Sequence, residues 1–425
     1  MNKELNVAYK ILSSVVVDKS YVSIELNKNL MENGNINTAL VTKIVYGVLE
    51  KDITLEYFVR QHVKKLPKLE ILILLKMVAY CGKFISSIPH FALVNEIVNI
   101  AKRVDFHCSG FVNATSKKLI STPIVLPSKN DYTTYISIKY SYPEWVIKEL
   151  LKDHDMQFVE DLISHELSTL THGRVNTNII SPSEFLRQLD EMSIKYEHSL
   201  YEYTFYVDYA QLLKSTLKEC FIVQGLPSII TCNVLGASKG LVLDVCASPG
   251  GKSVYIAGNP DVQVFACDIH NHRVDLIKKY AKNVGVKLKT FTQDATKFRA
   301  EWENKFDYVL CDVPCSNLGV SRKKPDVFLN KSYEDTLTLA GIQYAILDNS
   351  AKYVKKGGIL QYSTCTIVST ENEKVISKFL KNHKDFQLTP IDVEGIDISN
   401  NNDMYTFYPN LTNTEGFFIG RLKRL

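Results

Sequence analysis

The sequence predicts a helical bundle followed by an α/β domain on a parallel sheet, with a small α+β segment between them. Three observations carry this. Apolar residues recur at helical spacing through the first 120 positions. From residue 220 onward, short apolar runs alternate with helical stretches, the pattern of a parallel sheet with helices on both faces. The first of those runs ends in a turn with two adjacent glycines, Cys246 to Ser253, CASPGGKS.

Taken in order, Leu5, Ala8, Leu12 and Val15 fall at helical steps, and Ala39, Ile44, Val48 and Leu49 continue the theme. Pro67 is placed to open a helix through Ile71, Leu74, Leu75 and Val78. Leu93, Ile97, Ile100 and Val104 form another stripe. Core packing alone accounts for these stripes. ISTPIVLPSKND, residues 120–131, carries two prolines and reads as a linker. Residues 132–215 mix helix signals at 144–152 and 182–190 with a strand-like run at 203–207. Strands are then expected over 240–245, 262–267, 287–292, 306–311 and 358–362, with helices over 274–283, 336–353 and 373–382. The domains expected are 1–125, 132–215 and 216–425.

A chain of 425 residues suits two or three domains. The N-terminal MNKELNVAYKILSS lacks the apolar core of a signal peptide. The tightest apolar run, Ile71 to Leu75, is stopped by Lys76, so no bilayer span is expected and the chain reads as cytoplasmic. No long coiled-coil pattern is visible, and a monomer is expected. Net charge is +4 but uneven: residues 1–128 hold 16 Lys and Arg against 10 Asp and Glu. A basic N-terminal third fits a polyanionic partner weakly, and on charge alone an ordinary solvated surface fits better. Nine cysteines are spread along the chain in no zinc-binding spacing, so neither metal nor disulfide framework is expected.

The glycine turn poses the chemical question. A nucleoside-triphosphate loop, G-x-x-x-x-G-K-[ST], would need glycine at 246, and cysteine stands there. Asp268 ends the next strand, 24 residues after Asp244, where a carboxylate can accept both hydroxyls of a ribose. Gln293-Asp294 closes the third strand, where a carboxylate could meet an adenine amino group. Together these describe an adenosine ligand bound without its triphosphate; the alternatives are capping aspartates or an ATPase with a variant loop. Two further turns, Asp312-Val313-Pro314-Cys315-Ser316 and Tyr362-Ser363-Thr364-Cys365-Thr366, put cysteines after strands on the same edge. A thiol beside oriented amides can be acidified, and two of them near such a ligand suggest covalent catalysis.

In this order and spacing, CASPGGK, CD, QDA, DVPCS and STCT resemble the RNA cytosine-5 methyltransferases that use S-adenosylmethionine. The helical N-terminal segment resembles the NusB antitermination fold, and the combination is similar to the Sun/Fmu-type 16S ribosomal RNA methyltransferase family. Glu415-Gly416-Phe417-Phe418 resembles the family's closing strand, and Gly173-Arg174-Val175-Asn176-Thr177 another family segment. Two features depart from it: Gly225 follows Val223-Gln224 where an acid is common, and 408–414 lacks a histidine. The resemblance implies a Rossmann-like methyltransferase domain with a mixed, mostly parallel sheet, an all-α NusB-like bundle and 16S rRNA as partner. It implies that S-adenosylmethionine lies on Cys246, Ala247, Ser248, Pro249, Gly250, Gly251 and Lys252, with Asp268 on the ribose, Asp294 on the adenine edge and Asp312 at the methyl-bearing end. Lys252 could reach the methionine carboxylate or a phosphate. By resemblance Cys365 adds to carbon 6 of the cytosine, Asp312 holds the ring, and Cys315 assists loss of the carbon-5 proton and enzyme release. DNA cytosine methyltransferases instead attack with the Pro-Cys cysteine, which here would be Cys315. The base must leave its stack to reach a thiol. Arg322, Lys323 and Lys324 are placed to hold phosphates around it, unless they are only a solvated run, and Arg174 touches RNA by resemblance. Other readings are the same chemistry on transfer RNA or another ribosomal cytosine, or an inactive NusB-like RNA-binding factor.

Overall fold

Every regular element before residue 165 is a helix in the computed structural model, which describes residues 2–34 and 36–425. The chain forms two units, 1–164 with 321–333, and 165–320 with 334–425.

In the first unit the central helix is Leu69–Phe84, flanked by helices Asn2–Val16, Thr38–Glu50, Asp52–Arg60, His90–Val104 and Ser109–Ser121. Its apolar residues from Ile71 to Val78 are buried nearly all round, as a helix surrounded by others requires. Lys76, which interrupts that run, is buried too; its ammonium meets Asp52 at 2.7 Å and Glu56 at 3.0 Å, the pairing that a buried charge needs. Two residues of the expected stripes face solvent: Ala39 in the first turn of its helix and Val104 at the last residue of its own. Helices Tyr132–Tyr140, Glu144–Leu150 and Met156–Ser164, expected within the intermediate domain, belong to the helical unit. They are tied there by Thr54 Oγ1 donating to the Ile138 carbonyl and Ile53 N donating to Ser141 Oγ at 3.0 Å. The two prolines mark a bend between helices and not a change of unit. Segment 321–333 also packs here: Phe328 meets Tyr142 edge-on at 4.6 Å, and Val22 N donates to buried Asp326.

The second unit opens with an antiparallel sheet of β1 (Thr171–Val175), β2 (Tyr196–His198), β3 (Thr204–Val207) and β4 (Phe221–Val223), in the order β2-β3-β1-β4. Helix Pro182–Glu191 lays Phe185 and Leu189 on it, started by Ser181, whose hydroxyl accepts from Glu184 N, with proline in the first turn.

The main sheet contains β5 (Gly240–Asp244), β6 (Val262–Asp268), β7 (Lys289–Thr292), β8 (Phe306–Asp312) and β9 (Val354–Thr364), all parallel. Antiparallel β10 (Phe386–Leu388), β11 (Ser399–Asn401), β12 (Met404–Phe407) and β13 (Phe417–Arg424) extend it to the order β11-β12-β13-β9-β8-β5-β6-β7, with β10 on β13. The chain runs outward from β5 through β6 and β7, then returns to β5's other side with β8. That reversal makes the C-terminal end of β5 the topological switch point. Because β5 to β9 are parallel, the turns bearing Cys246–Gly251, Asp268, Asp294, Cys315 and Cys365 all leave the same edge. No helix among the described residues is long and apolar enough to cross a membrane.

Candidate active site

The glycine turn follows Asp244 directly. Ala247 N donates to the Cys267 carbonyl at 2.7 Å, binding the turn to the end of β6. Gly250 has φ +113°, and a Cβ there would stand 3.3 Å from Tyr280 and 3.4 Å from Ile277, so backbone and space both call for glycine. Asp244 is 1% exposed and accepts from Ser253 Oγ at 2.6 Å; burial pushes its carboxyl up to about 7. Burial also raises the Cys246 thiol well above its usual range.

Asp268 is buried at the end of β6, accepting from His270 N at 3.1 Å with Arg273 4.0 Å away. Asp294 accepts from Thr296 N at 2.9 Å and Thr296 Oγ1 at 2.7 Å, and the hydroxyl bond holds its carboxyl below the usual range. Both acids therefore cap their own turns.

At the end of β8, Asp312 is gripped from two sides. Ser363 Oγ donates to Oδ1 at 2.8 Å, and Lys252 Nζ meets Oδ2 at 2.7 Å. Burial pulls the Lys252 pKa down, but Asp312 outweighs it and leaves the ammonium pKa raised. Lys252, left open in the sequence between a carboxylate and a phosphate, has its partner within the chain, with the Phe417 ring 5.2 Å away.

The two cysteine turns meet. Cys315, 7% exposed, lies 3.2 Å from Cys365 sulfur to sulfur, and Cys365 is the more exposed of the two. Cys365 Sγ donates to Asn317 Oδ1 at 2.9 Å, and Asn317 Nδ2 donates back to the Cys315 carbonyl at 3.2 Å. The hydrogen bond to Cys365, and then burial, push the Cys315 thiol well above its ordinary range. Behind the sulfurs the backbone is packed without room for side chains. Gly319 N donates to the Cys365 carbonyl at 3.0 Å and Gly416 N to the Gly319 carbonyl at 2.8 Å. A Cβ on Gly319 would stand 2.1 Å from Gly416 O.

The remaining expected site residues fall elsewhere. Arg174 is buried, its Nε on Gln224 at 3.0 Å and its guanidinium 5.0 Å over the Tyr255 ring. Contrary to the RNA contact expected of it, Arg174 packs inside the unit, where a side chain so enclosed offers no surface to a phosphate. Arg322 lies half-buried 5.8 Å over the Tyr142 ring, whereas Lys323 and Lys324 are exposed. All three belong to the segment that packs with the helical unit. No group of three or more His, Cys, Asp or Glu among the described residues could hold a metal ion. Asn317 and Ser363, which touch the cysteine and the aspartate, were missed in the sequence because neither has a diagnostic spacing; their adjacency to the motifs was the available signal.

Residues 235–423 match the family model described as 16S rRNA methyltransferase RsmB/F, and residues 2–119 match the NusB family. The chain is 31% identical over 443 residues to the probable ribosomal RNA small subunit methyltransferase B of Bacillus subtilis (strain 168), covering 99% of this chain and 98% of that protein. It is 30% identical over 397 residues to ribosomal RNA small subunit methyltransferase B of Photorhabdus laumondii, covering 91% and 90%. Among solved structures, that of PH0851 superposes with TM-score 0.84 at 22% identity over 98% of each chain. NSun6 from Pyrococcus horikoshii with SFG superposes with TM-score 0.58 at 22% identity, over 66% of this chain and 98% of that one. Likeness at such identity speaks for the fold, whereas the Bacillus relative matches at both ends and throughout: the chain belongs to the RsmB/F family of 16S rRNA methyltransferases.

Proposed function

We propose that this chain transfers a methyl group to carbon 5 of a cytosine in 16S ribosomal RNA through a covalent adduct on Cys365. The observation that carries the reading is the 3.2 Å approach of the two sulfurs, on the edge that also presents the Lys252–Asp312 pair. The 16S target and a cytoplasmic place rest on the family and on the relatives' names.

The residues fit S-adenosylmethionine. A glycine turn leaves backbone open at the switch point, and acids close β6 and β7 beside it. Cys246 to Lys252 would carry it, with Asp268 toward the ribose, Asp294 toward the adenine and Asp312 at the reacting end. When bound it supplies the electrophilic methyl that carbon 5 takes up. The chain's own residues prepare that carbon. Carbon 5 of cytosine is a weak nucleophile until a thiolate adds to carbon 6, so Cys365 gives up its proton to solvent and forms the S–C6 bond. Cys315 S–H, lying against the Cys365 sulfur, donates to the thiolate and stabilises it. Asp312 accepts from the ring's amino group beside N3, which takes up a proton from solvent as electron density moves there, and Lys252 keeps Asp312 oriented.

The same hydrogen bond times the second cysteine. It is the foremost cause of the raised Cys315 thiol. Once Cys365 is bonded to carbon its sulfur carries no charge and that cause is removed, so Cys315 loses its proton to solvent more easily, against the burial that remains. As a thiolate it takes the carbon-5 proton; the electron pair left behind expels Cys365 and restores the ring.

Cys365→Ala abolishes the RNA adduct on a denaturing gel, and Cys315→Ala accumulates it, with release of methylated RNA lost in both. The reverse pattern assigns attack to Cys315 and overturns the roles. Bisulfite sequencing of ribosomal and transfer RNA from cells lacking the gene identifies the target; an unmodified transfer RNA cytosine with intact 16S RNA would reject the substrate.

A further inference from the structure

Two fully buried residues that the mechanism above does not use stand side by side behind the cysteines: Glu371 and Asn372, both 0% exposed. Each reaches a different cysteine turn. Glu371 Oε2 accepts from Ser316 N, the amide directly after Cys315, at 2.9 Å. It also accepts at 2.8 Å from Gln343 Nε2, which in turn donates to the Pro314 carbonyl at 2.9 Å. The Pro-Cys turn is thus held on both sides of Cys315. Asn372 does the same for the other turn. Its Oδ1 accepts from Thr364 Oγ1 at 2.6 Å and its Nδ2 donates to the Thr366 carbonyl at 3.1 Å, the residues on either side of Cys365. Consecutive residues on one chain segment therefore grip the flanks of both sulfurs, and Ser316 Oγ to Thr366 Oγ1 at 2.9 Å closes the ring.

We propose that Glu371 and Asn372 are positioning residues that together set the separation of the two sulfurs, Glu371 acting on Cys315 and Asn372 on Cys365. The inference rests on the two-cysteine reading above for its catalytic consequence, but its geometric content does not. A buried carboxylate is costly to retain merely for packing, because an apolar residue of similar size would fill the space without desolvating a charge. Burial pushes the Glu371 carboxyl up, and its charge in turn adds to the raised Cys315 thiol, so this residue reaches Cys315 electrostatically as well as through the backbone.

Because the grips are separate, their loss should separate the two halves of the reaction. In the full chain with S-adenosylmethionine and unmodified 16S transcript, Glu371→Ala displaces the Cys315 turn, and the RNA adduct accumulates as it does in Cys315→Ala. Asn372→Ala displaces the Cys365 turn and slows adduct formation roughly tenfold or more. Glu371→Gln keeps an acceptor oxygen and restores turnover. An RNA-free measurement uses diamide, whose azo group takes two hydrogens as two S–H bonds break and one S–S bond forms. Peptide mapping follows the Cys315–Cys365 link. Wild type and Glu371→Gln should close rapidly, and both alanine variants roughly tenfold more slowly. Equal slowing of adduct formation and release in both alanine variants, or wild-type diamide closure in them, overturns the proposal. If the wild-type chain forms no adduct at all, the two-cysteine reading fails, and the closure rates still decide the positioning claim. Should an alanine variant not fold, Asn372→Asp, which keeps the bond to Thr364 and loses that to Thr366, takes its place in both measurements.

Discussion

The two roles proposed for the cysteines follow from the different surroundings of one residue type. Cys315 is enclosed; Cys365 is more open and lies between the Cys315 sulfur and the Asn317 amide oxygen. Asp244 offers a second test at this scale. Its carboxyl is moved from an ordinary 3.8 to about 7 by burial. A raised acid favours folding while both states are protonated, and that advantage is lost as the unfolded chain ionises and the folded one does not. Wild type should therefore lose stability relative to Asp244→Asn as pH rises from about 4 to about 7, by up to about 4 kcal/mol, and then run level. Thermal melts of both proteins across that range check it; parallel curves would return Asp244 to an ordinary ionised acid. For the cofactor, Asp268→Ala should weaken S-adenosylmethionine binding roughly 10- to 100-fold by calorimetry, the loss expected for hydrogen bonds to a charged group. Unchanged affinity would leave Asp268 only its capping bond to His270.

Among the elements, what could be read in the sequence divides by the distance over which each is stabilised. The central strands β5, β6 and β8 are legible as apolar runs because both faces are covered, and helices such as Asn271–Val284 because their buried stripe is local. β2, β4, β10 and β11 are three residues long and exist through partners elsewhere, such as Lys423 of β13 opposite Gln387 of β10. The site divides the same way. Glycine turn, Pro-Cys and Thr-Cys are contiguous and visible; Glu371 acts on Ser316 from 55 residues away and leaves no local mark. Gly319 and Gly416 belong to that hidden class, for they matter only where three segments touch backbone to backbone. Gly319→Ala should force those segments apart, costing about 1–3 kcal/mol of stability and abolishing the adduct. A variant with wild-type melting and adduct yield would show that the loop can yield.

For the whole molecule, the uneven charge noted at the outset bears on RNA. With Arg174 buried and Arg322 stacked on Tyr142, Lys323 and Lys324 are the residues of the expected basic set exposed enough to meet phosphates. Replacing both with alanine should lower the slope of log affinity against log salt by about 1.4–1.8, two phosphate contacts' worth; an unaltered slope would make them ordinary solvated charges. The segment that bears them has a consequence of its own. Residues 321–333 leave the methyltransferase unit between β8 and helix Tyr333–Ala351 and complete the helical one. The polypeptide therefore passes between its two units three times. A truncated piece ending at Ser164 would lack Phe328 for Tyr142 and Asp326 for Val22, so the helical half is not a detachable module, and no single cut can liberate it whole.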